Sequence, residues 1–311
     1  MKSHISAAEA IARMKRLPAV DQVGAEGRAA MLGTRSIKTS SKAQAIDLAI
    51  SMVDLTTLEG ADTAGKVRAL CAKGVRPDPT DPAVPSVGAI CVYNDMVSIA
   101  KESLLAISGS AVGIAAVTTA FPSGRASIEV KCQDTEDAIT AGATEIDMVI
   151  DRGAFLAGNY QKVFEEISTI ASLCAGKAHL KVILETGELV TYDAVRRASW
   201  LAMWAGADFI KTSTGKVTPA ATPAVVLVML EAVRDFYRDH QIRIGVKPAG
   251  GIRTTKDAIK QLVLVKETAG DEWLTNKLFR IGASALLNDL LMQRRKLATG
   301  YYSGPNYVTI D

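Results

Sequence analysis

Short apolar runs alternate with longer segments of helical periodicity from about residue 45 to residue 294 of this 311-residue chain. Each run is rich in β-branched or apolar residues and is bounded by Gly, Pro, Asp or Thr, a pattern that predicts a β-strand. The centres of the runs recur every ~26 to 37 residues, the length of a strand, a crossover helix and two loops. The runs occupy residues 49–57, 87–94, 113–122, 145–151, 179–187, 208–215, 242–251 and 278–284.

These eight runs show little polar alternation, which indicates strands buried on both faces, as parallel strands covered by helices are. The segments between them, most clearly 159–174 and 222–240, carry apolar residues at i, i+3 and i+4 spacing. Eight βα units predict an α/β fold of the closed (β/α)8 TIM-barrel type. The alternative, an open doubly wound sheet, needs a GxGxxG turn after its first strand, and residues 54–63 do not contain one.

The chain divides into three segments on this basis. Residues 1–44 are predicted to be an N-terminal helical extension, residues 45–294 the barrel, and residues 295–311 a C-terminal tail. The N-terminal residues lack the apolar stretch of a signal peptide, and acidic side chains such as Glu9 interrupt the basic character of an organelle presequence. We therefore expect a cytoplasmic protein that retains its N-terminal segment.

Charge and hydropathy narrow the classes of partner. The 36 basic side chains nearly balance the 33 acidic ones, and no run of five like charges forms a nucleic-acid footprint. The longest apolar stretches are about seven residues, whereas a helix needs ~20 to cross a bilayer. Four cysteines without a CxxC pair indicate reduced thiols. The sequence predicts neither a nucleic-acid partner nor a membrane partner.

Three of the apolar strands carry a charged residue: Asp147, Lys211 and Lys247. A barrel enzyme places its reactive groups at the carboxyl ends of its strands, so charges there are informative. Because side chains alternate along a strand, Lys211 shares its face with Phe209 and Ser213. One such lysine alone is more often a salt-bridged side chain at a strand end. Two lysines and a carboxylate on three strands favour a reactive group instead.

Burial of a lysine has a chemical consequence, because a desolvated ammonium either loses its proton or finds a partner. A lysine near a second cation has a lowered pKa, and its neutral amine can attack a carbonyl to form a Schiff base. Lys211 and Lys247 fit that arrangement. Lys181 is a rival, although its early position in its strand, four residues before Glu185, favours a buried ion pair.

Glycine-rich turns follow the last three strands, at 213–216, 248–251 and 281–284. Barrels commonly hold a phosphate at this place on loop N–H groups and a helix N-terminus. Lys216 would add a charge and Ser284 a hydroxyl. A single glycine is usually only a turn residue, but three neighbouring turns of this composition predict a phosphate site.

Neither a metal nor a cofactor is expected. His4, His179 and His240 are too far apart in the sequence to indicate a metal-ligating cluster or a Ser-His-Asp triad. A Cys91 side chain that faced the barrel interior would lie near a substrate, yet a buried, unreactive thiol is the commoner state.

Several strings resemble those of the deoxyribose-phosphate aldolase family, which are class I aldolases with a (β/α)8 fold. They are MVDLTTLEGADT, EIDMVIDRGAFLAGN, LKVILETGEL, DFIKTSTGK, VKPAGGIRT and RIGASALLNDLL, in the family's strand order between about residues 46 and 292. The resemblance implies reversible cleavage of 2-deoxy-D-ribose 5-phosphate to D-glyceraldehyde 3-phosphate and acetaldehyde. These small molecules would be its partners, and the reaction would need no metal or cofactor.

The resemblance also implies roles for individual residues. Lys211 would form the Schiff base, Lys247 would be the cation that lowers its pKa, and Asp147 would shuttle protons with water. The implied substrate-binding residues are Asp54, Thr56 and Cys91 near the sugar, Gly215, Lys216, Gly250, Gly251, Gly282 and Ser284 at the phosphate, and Thr214 beside them.

This sequence departs from the family's pattern at several places, including the phosphate site and the tail. Ala285 stands where some relatives have a second serine, which removes one hydroxyl from the phosphate site. Some members end in a tyrosine that assists proton transfer, and here Tyr301, Tyr302 and Tyr307 are rival candidates beside an idle tail.

Two other functions fit the same barrel. A class I aldolase for another sugar phosphate would cleave ketose phosphates, and a non-catalytic sugar-phosphate-binding barrel would trap no imine. A homo-oligomer is also an open prediction, since Trp200, Met203 and Trp204 mark either a surface patch or part of the core.

Overall fold

The computed structural model describes residues 5–304 and 308, with the side chain of Thr39 left aside. Within that part of the chain, eight parallel strands alternate with helices in sequence order. The strands are β1 (Val53–Thr56), β2 (Ala89–Tyr93), β3 (Gly113–Thr118), β4 (Glu145–Val149), β5 (His179–Ile183), β6 (Phe209–Lys211), β7 (Gly245–Lys247) and β8 (Ile281–Ala283).

The strands pair in the order β7-β6-β5-β4-β3-β2-β1-β8. The two ends of this sheet meet, because bridges join Val246 to Phe279 and Ala249 to Gly282. The Gly282 N–H donates to the Pro248 carbonyl at 2.9 Å across the same seam. The prediction of a TIM barrel is therefore confirmed.

Helices follow each strand, and three more precede the first one. Most begin at a Ser, Thr, Asp or Asn whose side chain accepts the N–H three residues on, as Thr191 and Thr222 do. The helices in the described residues are α1 (Ala7–Met14), α2 (Gln22–Gly33), α3 (Thr39–Ser51), α4 (Ala64–Val75), α5 (Val97–Ala106), α6 (Ile128–Ala141), α7 (Arg152–Leu156), α8 (Tyr160–Cys174), α9 (Tyr192–Trp204), α10 (Pro223–His240), α11 (Thr255–Thr268) and α12 (Leu286–Thr299).

The sequence pattern predicted the start of the first strand too early in the chain. Residues 49–51 are the last turn of α3, and the strand begins only at Val53. Ile46, Ala49 and Ile50 are all fully buried and lie at helical i, i+3 and i+4 spacing, so the apolar stripe of the helix runs directly into the strand. Residue 44, the predicted end of the extension, lies inside this helix.

The three N-terminal helices lie against the outer helices of the barrel. Helix α1 packs on α8 and α9, α2 on α10 and α11, and α3 on α11 and α12. Two polar contacts hold this segment against the barrel. Arg28 forms an ion pair with Glu231 at 2.8 Å, and the Val20 N–H donates a hydrogen bond to Asp193 at 2.7 Å. The tail prediction began at residue 295, and α12 continues past that point to Thr299.

Trp200, Met203 and Trp204 are buried between α9 and α10, so they belong to the core and not to a surface patch. No helix in the described residues is long and apolar enough to cross a membrane. Inside the barrel, Ala89, Cys91, Ala115 and Val117 form a small apolar cluster of their own.

Candidate active site

Strand register brings the predicted lysines together. Lys211 of β6 lies directly beside Lys247 of β7, and Phe209 lies beside Gly245. A Cβ atom at Gly245 would fall 2.2 Å from the Phe209 ring, so only glycine leaves room for that ring inside the barrel. Both lysines therefore project into the barrel interior from adjacent strands.

Asp147 joins the two amines. The Lys211 Nζ donates to its Oδ2 at 2.6 Å, and the Lys247 Nζ donates to the same oxygen at 2.7 Å. Lys247 also contacts the Asp54 Oδ2 at 2.6 Å. Lys211 is only 3% exposed, and the other three side chains are 0% exposed. Two amines thus share one carboxylate oxygen away from bulk water.

The protonation states of these groups differ because their partners differ. Burial lowers the pKa of Lys211, and the Lys247 ammonium lowers it further against the opposing Asp147 carboxylate. Burial also lowers the pKa of Lys247, but Asp147 and Asp54 together raise it well above the ordinary value. Burial opposes ionisation of Asp147, yet the two lysines hold its pKa well below its usual range. Of the two lysines, Lys211 is therefore the one that loses its proton more easily, while Lys247 stays an ammonium and Asp147 a carboxylate.

Lys181, the rival nucleophile, occupies a different place. Its amine is paired with Glu145 and lies 3.5 Å from the Asp147 Oδ1 and 3.6 Å from the Asp54 Oδ2. Burial lowers the pKa of Lys181, but Glu145 and the two aspartates outweigh this and raise it. The amine therefore stays charged, in the buried ion pair that its position in the strand indicated. Glu185 is not its partner.

A cavity of about 480 Å³ lies at the carboxyl ends of the strands, with Lys211 in its wall. Asp54, Cys91, Asp147 and Lys247 are fully buried and do not line this space. Burial raises the pKa of the Cys91 thiol. The cavity wall contains these predicted residues: Thr56, Thr214, Gly215, Lys216, Gly250, Gly251, Gly282 and Ser284.

Gly282 has a steric role as well as a place in the wall. A Cβ there would lie 2.9 Å from the Ala249 Cβ and 3.2 Å from the Lys247 Cε. The glycine therefore leaves space for the stem of Lys247 at the seam between β7 and β8. In the turn after β7, Gly250 has a φ of +80°, and a Cβ there would lie 2.7 Å from the Ala220 Cβ, so this turn also requires glycine.

The turn after β6 is held by buried side chains. Thr214 donates its N–H and its hydroxyl to Glu185, the hydroxyl at 2.6 Å. Glu185 itself has a φ of +54°, and burial raises the pKa of its carboxyl. The Ser213 hydroxyl donates to the Ala249 carbonyl at 2.6 Å and ties this turn to the one after β7. The hydroxyls of the KTSTGK string thus position the loop.

Five polar residues of the cavity wall were missed by the sequence analysis: Thr57, Glu59, Lys66, Arg253 and Asn288. Arg253 follows the glycine pair by two residues, and Asn288 lies one helical turn after Ser284, so both spacings were visible in the sequence. The Glu59 carboxylate accepts a hydrogen bond from the Lys216 amine at 2.9 Å across the open end of the cavity. Nothing local in the sequence signals that contact between β1 and β6 loops.

The tail tyrosines fall outside this site as far as the structure describes them. Tyr301 is 80% exposed and Tyr302 71% exposed, and the Lys296 amine lies 3.6 Å from the centroid of the Tyr302 ring. Tyr307 and His4 lie outside the described residues. Over the described range, no group of three or more His, Cys, Asp or Glu side chains is placed to hold a metal ion.

Comparisons with known proteins identify the family of this chain. The chain is 44% identical over 277 residues to deoxyribose-phosphate aldolase of Mus musculus and 43% identical to that of Homo sapiens, with 86% of each chain covered. The solved tetrameric deoxyribose phosphate aldolase of Aeropyrum pernix is 26% identical, with a TM-score of 0.64 over 88% of this chain and 98% of that one. The sequence profile of the DeoC/LacD family of aldolases matches residues 48–292, and this chain belongs to that family.

Proposed function

We propose that this protein is a deoxyribose-phosphate aldolase that reversibly cleaves 2-deoxy-D-ribose 5-phosphate to D-glyceraldehyde 3-phosphate and acetaldehyde. The observation that carries the proposal is the buried Lys211 amine, which shares the Asp147 Oδ2 with a second amine and opens onto a cavity. The names of the mouse and human relatives support the choice of substrate.

The first step is imine formation. The neutral Lys211 amine attacks C1 of the open-chain aldehyde, and the resulting carbinolamine loses its hydroxyl as water to give an iminium ion. Asp147, acting through water, takes the proton that the nitrogen releases and returns one to the departing hydroxyl. Lys247 remains an ammonium and keeps the pKa of Lys211 low, which favours the free amine before each turnover.

Carbon–carbon cleavage follows from the iminium. The proton of the C3 hydroxyl leaves to the Asp147–water relay, the C2–C3 bond breaks, and its electron pair passes into the iminium to form an enamine. D-Glyceraldehyde 3-phosphate departs with C3 as its aldehyde carbon. Protonation of the enamine at C2 and hydrolysis of the imine then release acetaldehyde and regenerate the Lys211 amine.

The phosphate end of the cavity fits the remaining part of the substrate. Gly215, Gly250 and Gly251 let the backbone approach an anion closely, and the N-terminal residues of α12 face the same space. Lys216 supplies a cation there, and Ser284 supplies one hydroxyl where Ala285 supplies none. We propose that these groups bind the 5-phosphate and that Thr56 contacts the sugar.

The assembly and setting of the enzyme are also proposals. A homo-oligomer is supported by the tetramer of the Aeropyrum pernix relative, and a cytoplasmic setting by the reduced state expected of four free cysteines. The division into an extension of residues 1–44, a barrel of residues 45–294 and a tail of residues 295–311 is likewise proposed.

Imine trapping tests the chemistry directly. Borohydride reduction in the presence of acetaldehyde should attach an ethyl group to Lys211, identified by peptide mass spectrometry, and Lys211→Met should abolish both the label and the cleavage of deoxyribose phosphate. Lys256→Met, at an exposed position of α11, is the matched control and should behave as the wild type. A label at Lys181, or cleavage of ketose phosphates in place of deoxyribose phosphate, would overturn the proposal.

A further inference from the structure

The charged side chains inside the barrel form one connected chain of ion pairs. It begins at Arg280, which contacts Asp54 at 2.6 Å and Glu145 at 2.9 Å near the amino ends of the strands. Lys181 links Glu145 to both aspartates, and the aspartates lead on to the catalytic lysines. Its members in the described structure, each at most 8% exposed, are Asp54, Glu145, Asp147, Lys181, Lys211, Lys247 and Arg280.

The acids and bases of this chain are unequal in number. Within the described residues it holds four bases and three acids, so the interior carries a net positive charge when every group is ionised. A buried charge without compensation is costly, and the loss of one proton from a base removes the surplus. Charge balance therefore favours one neutral base.

The geometry identifies Lys211 as that base. Arg280 contacts two carboxylates, Lys247 contacts two, and Lys181 lies within 3.6 Å of three. Lys211 contacts a single carboxylate oxygen and shares it with Lys247. It is the least compensated cation and the only one of the four in the cavity wall described above.

Other groups around the chain do not alter this balance. Cys91 faces it from β2 as a thiol whose pKa is raised by burial, and Ala115 and Val117 on the interior of β3 do not titrate. Beyond the carboxyl ends of the strands, the charged groups have partners or are exposed: Glu185 with Thr214 and Arg152, Lys216 with Glu59, Lys66 with Asp62, and Arg253 at the surface.

We propose that Lys181 is a positioning residue that supplies the surplus positive charge of the barrel interior and thereby keeps the Lys211 amine neutral. Lys181 does not line the substrate cavity and acts only through the carboxylates that it shares with the catalytic lysines. The proposal rests on the proposed function, in which the neutral amine is the nucleophile.

The variant Lys181→Met tests it. Three bases then face three acids, and protonated Lys211 completes a neutral set, so the acidic limb of the kcat/KM profile should move to higher pH by about 1 unit or more. Borohydride trapping of acetaldehyde on Lys211 should show the same shift. Lys181→Arg keeps the charge and should retain the wild-type profile.

Two further variants change the balance in other ways. Glu145→Gln raises the surplus to two charges and should move the acidic limb to lower pH. Lys181→Met with Glu145→Gln removes one base and one acid, restores a surplus of one, and should return the limb towards its wild-type position. This reversal depends on charge and would not accompany simple damage to packing.

An unchanged acidic limb in Lys181→Met, or a uniform loss of rate at every pH that the double variant does not reverse, would overturn the proposal. If Lys181→Met does not fold, as judged by circular dichroism, the opposite shift expected of Glu145→Gln decides the question. Failure of the proposed function would look different, because the wild type would then trap no acetaldehyde at any pH.

Discussion

The charges on the floor of the barrel, deep between the strands, and those at its mouth, where the cavity opens, differ in their exposure to water. On the floor, Lys211, Lys247 and Asp147 are almost entirely removed from water. At the mouth, the Lys216 side chain is 33% exposed and that of its partner Glu59 is 66% exposed. Charges in a dry interior determine each other's protonation, whereas exposed pairs are screened and contribute little. The floor is therefore suited to changing the protonation state of an amine, and the mouth to binding and releasing an anion.

The largest effect is expected from Lys247→Leu on the floor. Loss of this ammonium leaves the Asp147 Oδ2 to Lys211 alone, so the pKa of Lys211 should rise and kcat/KM near pH 7 should fall by about 100-fold or more. Because the free amine returns as the pH rises, the loss should shrink in alkaline buffer. The profile of kcat/KM from pH 6 to 10 measures this. An equal loss at every pH would contradict the assigned role of Lys247.

At the mouth, Lys216→Gln should act on binding and not on the amine. It removes a cation from the proposed phosphate site, so KM for deoxyribose 5-phosphate should rise about 10-fold while kcat and the acidic limb of the pH profile stay the same. Unphosphorylated 2-deoxyribose is the control substrate, and its kcat/KM should change little. A shift of the acidic limb in this variant would show that floor and mouth are not electrostatically separate.

The same contrast explains which parts of the site could be predicted from the sequence. Asp147, Lys211 and Lys247 are conspicuous because each interrupts an apolar strand. Glu145 begins its strand and resembles an ordinary boundary residue, although it lies opposite Arg280, 135 residues away. Ion pairs of this range depend on which strands the barrel brings together, and no local pattern contains that information.

At the mouth, the positions of binding groups were visible but their directions were not. Composition predicted an anion site at Gly250 and Gly251, and both residues line the cavity. Asn288 enters the same cavity only because α12 starts at Leu286 and turns that side chain towards it. Residues 49–51 were misassigned for a related reason, since buried helix and buried strand have similar apolar content where they join.

The smallest effect is expected from Glu59→Gln, which sharpens the comparison because it affects only the mouth. Glu59 lies 2.9 Å from the Lys216 amine, and in the proposed phosphate site its carboxylate would compete with the phosphate for that amine. Without the negative charge, KM for deoxyribose 5-phosphate should fall about 2- to 3-fold, an effect that disappears in high salt because exposed pairs are screened. A higher KM for both phosphorylated and free deoxyribose would mean instead that Glu59 contacts the sugar and that the mouth recognises more than the anion.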